Sequence, residues 1–291
     1  MSKKVGEVII ETLESAGVKH CYGVVGDTLN TIATAISQSE IEFVHMRHEE
    51  AGAFAAQGEA LLMDRLTAVA GSCGPGSLHF INGLYEANRN GAPVILIASQ
   101  VLRSEQGLEF IQEVDFKSVY RGCSVFCEMV LVPEHARRLT AMACQAALAK
   151  RGVAVLIVPV DVADSAAADE PPFAVHLSRP VIRPSDQELE EIASLLAEGE
   201  NITIYAGAGC REAHDEVVEL AARLKAPIAH TSRGKDGIEY DNPYNVGMTG
   251  VLGVESGYHA ILNCDTLLLL GTDFAWRQFY PKHAKDRKSV V

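Results

Sequence analysis

Short apolar, β-branched runs alternate with amphipathic stretches of helical period along most of this chain. In the first half the apolar runs are His20–Val24, Ile41–Met46, Thr67–Ala70, Val94–Ala98, Val125–Leu131 and Val153–Val158. The stretches around them, Val5–Ala16, Leu29–Ile36, Glu50–Met63, Ser77–Asn88 and Pro133–Lys150, carry apolar residues three and four apart. Apolar runs without polar alternation belong to strands covered on both faces. Strand and helix in alternation predict a doubly wound α/β domain built on a parallel sheet. The pattern returns in the second half. Helices are expected at Gln187–Ala197, Ala213–Leu224 and Ser256–Asn263, and strands at Ile202–Ala206, Ile228–His230 and Thr266–Leu270.

Between the halves the period is lost. Pro159, Pro171, Pro172, Pro180 and Pro184 punctuate a polar, Ala-rich stretch. Proline density without periodicity reads as a linker. The expected organisation is a first domain over residues 1–160, a linker over 161–184 and a second α/β domain over 185–291. After Thr266–Leu270 the chain turns polar.

Composition narrows the function classes. A chain of 291 residues suits two domains. With 38 acidic against 25 basic residues the formal net charge is −13. No basic face is available to displace counterions, so nucleic acid is not an expected partner. The N-terminus lacks the unbroken apolar core of a signal peptide, and no apolar run approaches the ~20 residues of a membrane span. A cytoplasmic location is expected. The seven cysteines lie mostly in or beside apolar runs and read as small buried hydrophobes in a reducing compartment. The ten histidines are scattered, with no HExxH and no paired CxxC, so no metal site built by this chain is expected.

Candidate chemistry sits where strands end. Arg47-His48-Glu49-Glu50 follows one strand and opens a helix of Ala and Gly. That edge of an open α/β sheet is where ligands bind. A carboxylate there can relay a proton to a docked ring. The helix macrodipole alone also favours an acid at this position, and both readings stand. Gly74-Pro75-Gly76 is a second such turn, where two glycines permit close backbone approach. Phe110-Ile111-Gln112-Glu113 lies in a long irregular loop after the Val94–Ala98 strand, and long loops at this edge carry function. Gly207-Ala208-Gly209 lies between a strand and a helix without a full GxGxxG fingerprint. It reads either as a phosphate turn or as a plain connector.

In order and spacing, Gly23–Thr28, the Glu49–Glu50 pair, Gly71–Gly76 and Phe110–Glu113 resemble the pyrimidine-binding domain of thiamine-diphosphate enzymes of the pyruvate oxidase and acetohydroxyacid synthase group. Arg233-Gly234-Lys235, Tyr240–Pro243 and Gly247–Gly250 look most like the bacterial quinone-dependent pyruvate dehydrogenases (pyruvate oxidases). The resemblance implies that Glu49 is the catalytic residue. Its hydrogen bond to the aminopyrimidine lets that ring remove the thiazolium C2 proton, and Glu50 is then the ordinary helix-start acid. It implies cofactor contacts at Gly26, Gly74, Pro75, Gly76 and Gln112. Ile111 stands where many relatives have Phe, which alters the pocket.

For the second domain the resemblance implies FAD, held around Gly207, Gly209, Arg233, Gly234, Lys235, Thr249, Gly250, Gly271, Thr272 and Asp273. Arg233 and Lys235 are its implied anion partners. The family has another apolar strand after the one that matches Thr266–Leu270, so the resemblance implies a second doubly wound domain truncated before its last strands. No Gly-Asp-Gly occurs, so the Mg2+ ligands for the diphosphate are expected in a C-terminal domain missing from this chain. The implied activity is oxidative decarboxylation of pyruvate to acetate, with this chain inactive alone. The full-length parent is expected to be a homotetramer, with quinone as electron acceptor if it docks peripherally on the membrane. An acetohydroxyacid synthase-type carboligase and a non-catalytic nucleotide-binding fragment are the alternatives. The resemblance runs to Lys285. Asp286–Val291 match one reading frame of a common sequencing-adapter oligonucleotide, so the tail is expected to be read-through that packs poorly.

Overall fold

The computed structural model describes residues 3–168, 171, 175, 181–272 and 277–279. Asp273 and the tail 286–291 lie outside the described residues. The chain divides into two units, Met1–Pro180 and Val181–Val291.

The first unit runs α1 (Val5–Ser15), β1 (His20–Val24), α2 (Asn30–Ser37), β2 (Glu42–His45), α3 (Glu49–Met63), β3 (Thr67–Gly71), α4 (Pro75–Leu78), α5 (Ile81–Arg89), β4 (Val94–Gln100), α6 (Phe116–Tyr120), β5 (Phe126–Met129), α7 (Ala136–Lys150), β6 (Val153–Pro159) and α8 (Val160–Asp164). Its six strands form one parallel sheet in the order β2-β1-β3-β4-β6-β5. β3, β4 and β6 are buried along their whole length, as continuous apolar runs require. Alternate side chains serve opposite faces. Ala68, Ala70, Ile95, Ile97, Leu156 and Val158 pack with α1, α2 and α7. Val69, Leu96, Ala98, Val155 and Ile157 pack with α3, α5 and α6.

Two local expectations change. The single helix expected over Ser77–Asn88 is two, because the chain turns at His79–Phe80 between α4 and α5. Ser77 Oγ there donates to the Gly71 and Ser72 carbonyls at 3.1 and 2.8 Å, which ties the short helix to the strand end. The stretch expected as linker begins with a helix, α8. Val162 and Ala163 are buried against the α1–α2 face, and the backbone of residues 165–167 bonds to Lys3 and Val5 at 2.8 and 3.0 Å. Proline count hid this short apolar turn.

The second unit runs α9 (Asp186–Ala197), β7 (Ile202–Ala206), α10 (His214–Leu224), β8 (Ile228–His230), α11 (Lys235–Ile238), β9 (Asn245–Met248), α12 (Glu255–Asn263) and β10 (Thr266–Leu270). The four strands are parallel in the order β10-β7-β8-β9. α10 covers one face through Val217 and Ala221, and α12 covers the other through Ile261. β9 was not expected as a strand. It is short, and its Gly247 has φ +88 where the register against β8 shifts, so its apolar signal is broken.

α3 is pinned at its carboxyl end. Glu59 accepts hydrogen bonds from His20 Nδ1 at 2.8 Å, Tyr22 Oη at 2.9 Å and Arg65 Nε at 2.8 Å. His20 also faces Glu42 at 3.7 Å. Burial pushes the Glu59 carboxyl up, but the bonds from His20, Arg65 and Tyr22 outweigh it and leave the group below the usual glutamate range. Burial also pushes the Tyr22 phenol up, to about 12. A carboxyl depressed in the folded state stabilises the fold above its unfolded pKa, about 4.3. That contribution is lost as pH falls through the folded value. Stability measured by urea unfolding should therefore drop on acidification below about pH 4.3, and Glu59→Gln should flatten that part of the curve. Parallel acid curves for the two proteins would contradict the assignment.

Candidate functional site

β1, β2 and β3 are neighbours with their carboxyl ends on one edge of the first sheet. The chain turns opposite ways after β1 and after β3, and such a switch point opens a crevice for ligands. The loops around it are packed on one another at backbone distance. A Cβ added to Gly26 would lie 2.7 Å from Ser72 Cβ. Thr28 Oγ1 accepts the Cys73 N–H at 2.8 Å. Gly74 has φ +62 and ψ −124, which an L side chain rarely adopts. A Cβ there would lie 2.7 Å from Gln112 Cβ and 2.9 Å from the Gln112 carbonyl oxygen. Pro75 then starts α4, where its fixed φ suits the first helical position. A Cβ on Gly76 would collide with Ser72 Oγ and lie 3.7 Å from Glu49 Oε1.

Glu49 begins α3 one residue earlier than the hydrophobic period suggests, and it is 9% exposed. Oε1 lies over Gly76, and Oε2 is held by His79 Nδ1 at 3.1 Å. Glu50 turns aside and accepts from Asn82 Nδ2 at 2.9 Å. Burial therefore separates the two acids: one is enclosed over the glycine turn and the other is a half-buried helix-start residue. His48 caps α3 through Nδ1, which accepts the Glu50 N–H at 3.3 Å. Its ring stacks on that of His79 with centroids 4.8 Å apart and planes 24° apart.

The loop from Val101 to Val114 is fastened to itself. Gln100 Nε2 donates to the Val114 carbonyl at 2.7 Å, and the Gly107 N–H donates to Glu113 Oε1 at 2.6 Å. Glu109 and Gln112 have φ +56 and +67, a conformation that costs a non-glycine residue roughly 1–2 kcal/mol. Gln112 Oε1 accepts from Cys73 Sγ at 3.5 Å, while Phe110 and Ile111 are exposed. Gly26, Glu49, Gly74, Pro75, Gly76 and Gln112 thus meet at one edge.

His48, Ser72 and Cys73 lie inside motifs named from the sequence but were given no catalytic role there, and His79 lies outside them. All four join this edge through contacts between segments far apart in the chain. One signal was present: His79 lies three residues after Gly76, one helical turn on from the glycine turn. His48, Glu49 and His79 each offer a donor atom, all within 4.8 Å of one another, and form the one such group among the described residues. Within this group His48 Nδ1 already accepts the Glu50 N–H, and His79 Nδ1 already meets Glu49.

The second unit gathers Gly207, Gly209, Gly234, Gly271 and Thr272 at the carboxyl edge of its sheet. The Gly207 N–H donates to the Leu270 carbonyl at 2.9 Å, and the Gly209 N–H donates to the Gly271 carbonyl at 3.0 Å. A Cβ on Gly209 would lie 2.7 Å from Gly271 Cα, and one on Gly234 would lie 2.9 Å from the Ala206 carbonyl oxygen. Close packing against the end of β10 accounts for the two glycines of the turn. Lys235 pairs with Glu239 at 3.1 Å, and Arg233 is exposed. Thr249 is buried, its N–H donating to the His230 carbonyl at 3.2 Å, and Gly250 follows with φ +120. His230 Nε2 and Thr249 Oγ1 are buried without a hydrogen-bond partner.

Residues 3–119 match the N-terminal TPP binding domain of thiamine pyrophosphate enzymes, and residues 189–291 match the central domain of the same enzymes. The chain belongs to the thiamine pyrophosphate enzyme family. An uncharacterized 42.6 kDa protein of Pseudomonas amyloderamosa is 49% identical over 97% of this chain and 72% of that protein. The putative thiamine pyrophosphate-containing protein YdaP of Bacillus subtilis is 33% identical over 96% of the chain and 49% of its own length. The pyruvate oxidase of Lactiplantibacillus plantarum is 28% identical over 94% of the chain and 46% of its own length. Acetolactate synthases of Escherichia coli and Arabidopsis thaliana match to the same degree. Apart from the first of these, the chain spans about half the length of the relatives it matches.

In this thiamine pyrophosphate enzyme chain, Gly74 supports both the turn and the Gln112 loop. Gly74→Ala should force the left-handed φ on a residue with a Cβ and push Gln112 away. We expect a loss of about 1–3 kcal/mol in stability and faster proteolytic cleavage within residues 103–113. Unchanged thermal unfolding and an unchanged cleavage pattern would show that the two loops do not bear on each other.

Proposed function

We propose that this chain is the N-terminal portion of a thiamine-diphosphate- and FAD-dependent enzyme that oxidatively decarboxylates pyruvate to acetate. One observation carries the reading: the buried carboxylate of Glu49 stands over the Gly74–Gly76 turn with Gln112 alongside. Thiamine diphosphate bound at that edge would supply a carbon nucleophile, chemistry that no side chain offers. Glu49 Oε1 would share a proton with a nitrogen of the pyrimidine, and its burial keeps water from competing for that bond. The bare backbone of Gly74 and Gly76 leaves room for a flat ring beside the carboxylate. The Gln112 amide carries donors suited to the carboxylate of a 2-keto acid.

FAD belongs to the second unit in this reading. Buried polar atoms without a hydrogen-bond partner call for a ligand or water, and two such atoms are Thr249 Oγ1 and His230 Nε2, the latter 3.9 Å from a Glu239 oxygen. With Gly250, Gly271 and Arg233 they are the residues that would hold the flavin cofactor. The Mg2+ for the diphosphate takes its ligands from a C-terminal domain of the full-length parent. We further propose that this parent is a cytoplasmic homotetramer that passes electrons to a quinone at the membrane surface. Among the described residues no helix is long and apolar enough to cross a membrane.

A second reading, an acetolactate synthase-type carboligase, is favoured by the equal match of acetolactate synthases. The product separates the two readings, acetate in one and acetolactate in the other.

Glu49→Gln in the full-length parent should lower pyruvate turnover by about a hundredfold to ten-thousandfold, the usual worth of a proton-transfer group, with the circular-dichroism spectrum unchanged. Near-normal turnover would refute the role. The purified 291-residue chain should release no CO2 from pyruvate with thiamine diphosphate and Mg2+, because a diphosphate needs a liganded cation. Magnesium-dependent CO2 release by this chain would overturn that part of the reading.

A further inference from the structure

The two oxygens of Glu49 are in different company. Oε1 lies above Gly76, 3.7 Å from where a Cβ would stand, beside the Ser72 hydroxyl and the bare backbone of the turn. Oε2 is 3.1 Å from His79 Nδ1. A carboxylate can rotate to exchange its oxygens unless one of them is held. His79 is half exposed and could not hold a fixed direction alone. Its ring lies on the ring of His48, and His48 is fixed in turn because Nδ1 accepts the Glu50 N–H at the start of α3. The chain of contacts closes on itself, since Glu50 directly follows Glu49 in that first turn.

We propose that His79, braced by His48, is the positioning residue for Glu49. Its Nδ1–H engages Oε2 and so presents Oε1 to whatever ring docks on the Gly74–Gly76 turn. The tautomer follows from the same contacts. An ionised carboxylate only accepts, so the proton of neutral His79 must be on Nδ1. His48, accepting at Nδ1, must carry its proton on Nε2. The two stacked imidazoles are therefore opposite tautomers. The inference rests on the thiamine reading for its consequence, but not for the contact itself.

Two experiments decide it. Long-range 1H–15N NMR of the cofactor-free chain, labelled at histidine, should show His79 protonated at Nδ1 at neutral pH. In Glu49→Ala it should shift to the Nε2–H form. A His79 that is Nε2-protonated in the wild type, or indifferent to Glu49→Ala, would overturn the proposal. In the full-length parent, His79→Leu should lower kcat about tenfold, the worth of a hydrogen bond to a charged group, with KM for pyruvate little changed. His79→Asn, whose amide N–H can occupy the place of Nδ1–H, should restore most of the rate. Equal losses in Leu and Asn, or no loss in either, would also overturn it. If the parent turns over no 2-keto acid at all, the proposed function fails and the NMR result alone decides the role of His79.

Discussion

The close approach of three backbone segments at the end of the first sheet is the constraint from which the site follows. The loops after β1 and β3 and the loop carrying Gln112 touch at positions where a single added carbon would stand 2.7 Å from its neighbour. Glycine at 26 and 74 makes this possible. Close-packed interiors do not yield gradually, so these contacts fix where each loop stands relative to the others. Glu49 Oε1 stands over Gly76 beside these contacts, with the Ser72 hydroxyl against the same glycine.

The fold was legible in the sequence because its signal is local and redundant. Continuous apolar runs such as Val94–Ala98 and Val153–Val158 can belong only to strands covered on both faces, and they became β4 and β6. The positions of the candidate site follow from strand ends as well: Gly26, Glu49 and Gly74 come after β1, β2 and β3, and Gln112 lies in the loop after β4. What could not be read depends on contacts across the chain. His79 meets Glu49 because α4 is a single turn that ends at the right angle, and no periodicity encodes that angle. Gly207 and Gly209 show the opposite failure. Their pattern suggests a cradle for phosphate, yet two amides of the turn are engaged by the carbonyls of Leu270 and Gly271. A glycine motif states that something comes close and does not state what.

The two units bear differently on function. The first presents an enclosed acid, a bare turn and a fastened loop, which together suit proton traffic to a flat heterocycle. The second presents packed glycines and two buried polar atoms that make no hydrogen bond, His230 Nε2 and Thr249 Oγ1. That suits holding a ligand more than transforming one. The two units correspond to the N-terminal TPP binding domain and the central domain that the chain shares with its family.

One consequence concerns α3 as a mechanical part. The helix has fifteen residues, which makes it a rod of about 22 Å. Glu49 is at one tip, and Glu59 lies in its last turns, clamped to β1 by His20 and Tyr22. A helix transmits displacement along its axis with little loss, because each turn is bonded to the next. The position of the Glu49 carboxylate is thus referenced to a clamp near the far end of the rod. Substitutions at His20 or Arg65 would act as adjustments of reach, moving Glu49 toward or away from the turn by fractions of an ångström. Residues far from the carboxyl edge of the sheet thus bear on where Glu49 stands.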